Sequence, residues 1–348
     1  MKTVTGKNTI RYLIISFLGI SSFIKTHAQD IHFSQFYFSP LSINPANTGN
    51  FSANYRLSTN YKNQWKSIAN PYKTSFASFD MPLAKNKLGL GISFFSDKAG
   101  KSMMGLTVGN FSVSYNLKIN ETNHFIAGMQ YGFGQRSIKT ADLKWDSQYN
   151  GTSYDPTIAS GETQFSQSYT YMDISAGGIW NYTAKMSGFK SSTGVAVFHI
   201  NQPSQSFYGS DKLKYKLVVH NSTQIKLADM PAYILPQLLF LKQGPHSELN
   251  VGGLFKYVFS PIKSVFRAKN RIDIGQNKED KSESRNSLAI FAGGQLRYKD
   301  AFIAMFGFEL KKSLLISFSY DLNVSKLRVA SNNKGGMELA LTYKGYFK

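Results

Sequence analysis

The sequence predicts a closed antiparallel transmembrane β-barrel of about fourteen strands. Three observations carry that expectation. The first residues have the form of an export signal. The remainder alternates apolar and polar residues with a period of two. Several alternating runs are 10 to 14 residues long, whereas soluble strands average about 5–6 residues and a tilted membrane-crossing strand needs about 9–11.

Composition removes the main rivals. Among 348 residues, 14% are aromatic and 17% charged, against roughly 25% charged in an ordinary soluble domain. That is too aromatic for a disordered chain. Mean hydropathy is −0.26, and no run of about 18 apolar residues follows the leader, which excludes a helical membrane protein. The chain has no Cys, so disulfides, zinc fingers, cysteine nucleophiles and a cysteine lipid anchor are excluded. Lys and Arg total 40 against 20 Asp and Glu, a net +20. These basic residues are scattered singly, and the densest tract (Lys263, Arg267, Lys269, Arg271) covers part of one segment. A nucleic-acid partner is therefore not expected.

Residues 1–28 read as a signal peptide. Lys2, Lys7 and Arg11 precede the apolar stretch Tyr12–Ile24, and Thr26-His27-Ala28 offers small residues for cleavage after Ala28. Cleavage removes four positive charges (Lys25 is the fourth) and no negative one, which takes +20 to +16. The predicted location is the bacterial outer membrane. Residues 29–52 are polar, contain Pro and are too irregular for a strand pair, so they are expected to lie in the lumen as a plug.

Residues 53–348 are expected to form the barrel. Tyr55, Leu57, Thr59, Tyr61 and Trp65 fall on one face of the first run, and Arg56, Ser58, Asn60, Lys62 and Gln64 on the other. Phe125, Ala127, Met129, Tyr131 and Phe133 repeat the pattern mid-chain, and Met337, Leu339, Leu341 and Tyr343 repeat it at the end. The candidate strands are 54–66, 73–82, 86–97, 103–119, 122–136, 168–184, 190–200, 213–226, 231–242, 246–258, 285–298, 301–311, 314–324 and 335–347. A phase slip between Val108 and Phe111 predicts a bulge, and Pro236 is an anomaly inside a strand. Closure protects the sheet edges.

Parity assigns the connections. With strand 1 rising from the periplasm, 83–85, 120–121, 185–189 and 311–313 are short periplasmic turns. The long loops 137–167 and 201–212 are extracellular. The first carries Trp145, Tyr149 and Tyr154, aromatics of the kind enriched at binding hot spots. Parity puts a charged insert at 259–284 on the periplasmic side, where it is either a periplasmic feature or a further strand pair. At the seam, Lys62 and Glu338 share the polar face and should pair as an ion pair near the outer end.

Nothing points to catalysis, a metal or a cofactor. The six His are isolated. Gly100-Lys101-Ser102 resembles the end of a phosphate loop but has Phe95 where the loop needs Gly. The strand carboxylates Asp80, Asp173, Glu248, Glu309, Asp321 and Glu338 are expected as lumen residues paired with Arg or Lys.

Several segments, in order, resemble one family. They are Asp30-Ile31-His32-Phe33-Ser34-Gln35-Phe36, then Asn44-Pro45-Ala46-Asn47-Thr48-Gly49, then Tyr55-Arg56 with Asn63-Gln64-Trp65. Gln243-Gly244-Pro245, Glu248-Leu249-Asn250-Val251-Gly252, Ser319-Tyr320-Asp321, Ser325-Lys326-Leu327 and Gly336-Met337-Glu338-Leu339 continue the series. Together they resemble the PorP/SprF family of type IX secretion system outer-membrane proteins of Bacteroidetes. The 259–284 insert departs from that pattern. The resemblance implies a non-enzymatic role in secreting or anchoring a surface protein, such as a gliding adhesin, that bears a C-terminal sorting domain. It also implies contact with other secretion components, in an outer-membrane lipid setting. The alternative is a porin-like channel for small solutes.

Overall fold

A computed structural model describes residues 30–64, 72–99, 104–138, 143–161, 168–205, 207, 211–228, 230–259, 287–325 and 331–347. The chain divides into Met1–Asp30 and Ile31–Lys348, and the barrel belongs to the second unit. The signal-peptide residues 1–28, Trp65, the Gly100-Lys101-Ser102 tract and insert residues 260–284 lie outside the described residues.

Fourteen antiparallel strands close on themselves. They are β1 (Tyr55–Gln64), β2 (Tyr72–Leu83), β3 (Leu88–Ala99), β4 (Met104–Lys118), β5 (Asn123–Ser137), β6 (Ser168–Thr183) and β7 (Lys190–Phe198). Then follow β8 (Lys216–Lys226), β9 (Ala232–Gln243), β10 (His246–Phe259), β11 (Leu288–Arg297), β12 (Ala301–Leu310), β13 (Leu314–Asn323) and β14 (Lys334–Gly345). Each strand pairs with its sequence neighbours, and β14 pairs with β1 from Tyr55↔Gly345 to Gln64↔Gly336.

The alternation decides which face points where. On β1, Arg56, Ser58, Asn60 and Lys62 are buried, while Leu57 and Tyr61 are exposed. Ile92, Phe94, Phe111, Tyr115, Met129, Tyr131 and Phe133 continue the exposed apolar surface over β3, β4 and β5. A water-soluble protein inverts this arrangement. In lipid it is favoured, because an outward Arg or Lys costs about 2–4 kcal/mol at the bilayer midplane. Lumen-facing polarity and lipid-facing Phe, Leu and Tyr therefore specify one register, since a one-residue slip would exchange them.

Connections 84–87, 119–122, 184–189, 227–231 and 311–313 gather at the end where β1 starts and β14 finishes. Short turns mark the periplasmic end of such barrels. Of the described residues, 143–161, 199–205 and 211–215 lie at the opposite, outer end, together with two tight connections, 244–245 and 298–300.

One local expectation is corrected. Register runs without a break through Val108–Phe111 on both sides of β4, so no bulge sits there. Gly109 occupies an outward position and Val108 an inward one, which imitates a slip in the sequence. The irregularity falls instead between Tyr320 and Leu322, where β13 meets β14. Pro236 does lie within β9, opposite Gly253. Its missing N–H shows on the other side: β8–β9 pairing lapses between Ser222↔Gln237 and Ile225↔Ile234.

Candidate functional site

Between residue 31 and β1 the chain forms no strand. It folds into a 3-10 turn (Phe36–Phe38), a single helical turn (Pro40–Ile43) and a second 3-10 turn (Pro45–Asn47). Pro40 and Pro45 each sit at the start of a turn, where a missing N–H is harmless. Side chains from strands all around the barrel reach this segment, and only a position inside the lumen allows that.

At one end the segment meets a charged cluster. Glu338 on β14 accepts the backbone N–H groups of Ser34 (2.8 Å) and Gln35 (2.9 Å), and Asn60 Nδ2 (2.8 Å). The Gln35 side chain donates back to the Glu338 carbonyl at 3.0 Å. Ser34 Oγ accepts from Arg297 (2.7 Å) and Lys62 (3.2 Å) and donates to Asp321 (2.7 Å). Lys62 Nζ also donates to the His32 carbonyl at 3.1 Å, and the His32 ring stands 3.1 Å from Glu248. Lys62, Arg297, Asp321 and Glu338 lie out of water, so each needs its partners.

At the other end Arg56 and Asp80 form a bidentate pair, 2.9 and 2.7 Å. Asp80 accepts the Gly49 N–H (2.8 Å), and Arg56 donates to the Asn47 carbonyl (3.0 Å). Ser114 donates to the Thr48 carbonyl at 2.6 Å. Midway, Asn44 Nδ2 donates to the Gly178 (3.1 Å) and Val195 (3.3 Å) carbonyls, while its Oδ1 accepts the Ala46 N–H (2.9 Å). A Cβ on Gly128 would overlap the backbone of Pro45 and Ala46, and one on Gly177 would overlap the Asn44 amide. Glycine at 128 lets the two backbones approach, and glycine at 177 leaves room for the Asn44 side chain.

Apolar anchors fill the remaining space. Phe33 packs on Phe76 and Phe95. Phe36 and Ile43 join Ala196, Phe198, Val218 and Leu239, and Phe38 packs against Phe291. Each buried Phe contributes about 1.5–3 kcal/mol relative to exposure.

The expected direct Lys62–Glu338 ion pair does not form. The two residues are register partners and both are buried. Segment residues Ser34 and Gln35 take up their polar atoms, and the acidic neighbour of Lys62 is Asp321 at 3.9 Å. Among the other strand carboxylates, Asp80 pairs with Arg56, Glu309 with Lys256, and Asp321 and Glu248 with Arg297. Asp173 departs from the expectation, pairing with His199 at 3.0 Å.

Outer-loop residues 143–161 form a compact unit. Trp145 N–H donates to the Gln148 side chain (3.3 Å), which also reaches the Ile158 carbonyl (2.9 Å) and the Tyr154 hydroxyl (3.3 Å). Tyr149 and Tyr154 are bridged backbone to backbone, and Lys144 Nζ lies 4.8 Å from the centre of the Tyr154 ring. Trp145 and Tyr154 are half-buried supports, whereas Tyr149 is 57% exposed. In the second loop, Asn201 bonds Met172 and Ile174 of β6, and Ser204 bridges Lys212.

Sequence reasoning missed the Glu338–Arg297–Asp321 cluster as a binding site for the chain's own segment. One signal was present: residues 31–55 contain no Asp, Glu, Lys or Arg, in a chain of net charge +20. Such a segment meets wall charges through backbone groups, Ser and Asn.

A comparison with curated proteins gives no match. Among solved structures, the Pseudomonas putida toluene transporter TodX aligns with a TM-score of 0.43 and 9% identity, over 88% of this chain and 93% of that one. BamA from Haemophilus ducreyi, lacking POTRA domains 1–3, aligns at 0.39 and 10%, over 95% and 77%. The KdgM porin aligns at 0.37 and 9%, over 84% and 99%. The family model for the type IX secretion system membrane protein PorP/SprF matches residues 25–343. With that match over almost the whole chain and a closed fourteen-stranded barrel to carry it, the protein belongs to the PorP/SprF family of type IX secretion system membrane proteins.

Proposed function

We propose that the barrel, after cleavage of its leader near Ala28, holds a secreted partner at the cell surface through its outer loops. The partner class is an adhesin or other surface protein with a C-terminal sorting domain, delivered by type IX secretion components. The observation that carries this reading is the division of labour in the molecule. The lumen is taken up by the protein's own segment, from Phe33 to Thr48. The outer end carries an ordered loop that presents Tyr149. A barrel filled in this way favours a surface role over passage of solutes, and the solute-channel alternative draws no support from the lumen.

Replacement of 137–167 by a short Gly-Ser turn tests the reading. The barrel should still assemble and shift on heating in gels, while the surface-retained fraction of the partner falls and the released fraction rises. Unchanged retention would place the contact elsewhere.

A further inference from the structure

The segment has a direction. His32 and Ser34 sit by Lys62 near the end of β1, Arg297 at the end of β11, and Glu248 two residues after the start of β10. All three positions are at the outer end. Asn47 and Gly49 sit by Arg56 at the start of β1 and by Asp80 close to the β2–β3 turn, at the periplasmic end. From Ile31 to Asn50 the chain therefore descends through the barrel from the outer mouth to the periplasm, and β1 then rises. Start and finish of the barrel sheet share the periplasmic end, but the start of the segment does not.

The fastening is unequal along this path. Toward the periplasm the segment is continuous with β1 and is stapled further: Asn181 donates to Asn50 (2.9 Å), and the Tyr346 hydroxyl to the Ser52 carbonyl (2.8 Å). At the outer mouth it depends on side-chain clamps, chiefly the Glu338 carboxylate on two consecutive amides and the Arg297–Asp321 pair on Ser34 Oγ. Phe33 packs among these clamps, and Phe36 follows them along the descending chain.

We propose that residues 31–50 are a plug inserted from the outer mouth, with the leading end at Ile31 open to the cell exterior and the Glu338–Arg297–Asp321 cluster as the latch that keeps the barrel closed to ions. The proposal does not depend on the identity of any surface partner.

Two measurements on the full chain test it. The protein has no Cys of its own, so single Ile31→Cys and Ser52→Cys variants can be treated on intact cells with a membrane-impermeant maleimide. Ile31→Cys should label from outside, and Ser52→Cys only after the outer membrane is permeabilised. The reverse pattern, or an Ile31→Cys that labels only on unfolding, overturns the direction of entry. In planar bilayers with potassium chloride, the wild type should be closed. Glu338→Gln should raise the open fraction about tenfold or more, since an amide cannot accept both N–H groups with both of its terminal atoms. Deletion of 31–43 should give a steady pore and serves as the second variant if Glu338→Gln fails to assemble. A deletion variant that forms the heat-modifiable barrel yet stays closed overturns the plug, as does a wild type that conducts as the deletion does.

Discussion

Lys62 and Glu338 face each other across the seam between β1 and β14, and both turn their polar atoms to the segment in the lumen. Glu338 holds the amides of Ser34 and Gln35, and Lys62 the His32 carbonyl and Ser34 Oγ. The two residues that face each other where the sheet closes are therefore also the ones that seat the segment.

Glu338→Ala should loosen the segment more than it loosens the barrel. It leaves two buried N–H groups and Asn60 Nδ2 without their acceptor. A buried group left unpaired costs about 1–3 kcal/mol. Limited proteolysis in detergent should cut between Phe33 and Ser39 in the variant and not in the wild type, with strand circular dichroism unchanged.

The seam register is open to direct chemical test. Lys62→Cys with Glu338→Cys should form a disulfide on mild oxidation, because directly opposed antiparallel residues have Cα atoms about 4.5–5.5 Å apart, within the usual range for a bridge. The crosslinked barrel should lose its heat-dependent gel shift. Failure to crosslink in an assembled protein would contradict the register.

Gly128→Val should expel the middle of the segment while the wall remains. The new side chain takes the space of the Pro45–Ala46 backbone. Hydrogen exchange should speed up at the Ala46 amide and stay slow at the paired β4–β5 amides.

In the outer loop, Tyr149→Ala and Gln148→Ala should act differently. Tyr149 is exposed, so its loss should change stability by less than about 0.5 kcal/mol and lower partner retention. Gln148 ties Trp145, Tyr154 and Ile158 together. Its loss should open the loop to protease without touching the barrel. Thr157, through its hydroxyl and its amide, holds the Asp155 carboxyl below its ordinary value. The order this adds is present above about pH 3.9, the ordinary aspartate value, and is lost as pH falls through the lower folded value. Thr157→Ala should shift the loss of protease resistance to higher pH.

The strands were legible because lipid on one side and a polar lumen on the other write a period-two pattern into every run. Gly109 misled, since a residue without a side chain carries no mark of which way it faces. Phe76, Phe198 and Phe291 face inward as sockets for Phe33, Phe36 and Phe38, and a period-two pattern does not say what an inward Phe packs against. The ion pair at the seam was legible as a register but not as a bond. Alternation within strands says nothing about a third, strandless segment lodged between them.

Hydrogen exchange at the Ser34 and Gln35 amides in the detergent-solubilised wild type tests most directly whether the lumen is filled by residues 31–50. Both amides should exchange as slowly as paired strand amides of β1 and β14, and both should speed up in Glu338→Ala. Exchange at the rate of an unstructured peptide in the wild type would contradict a seated segment, and with it the plug and the closed barrel that supports a surface role.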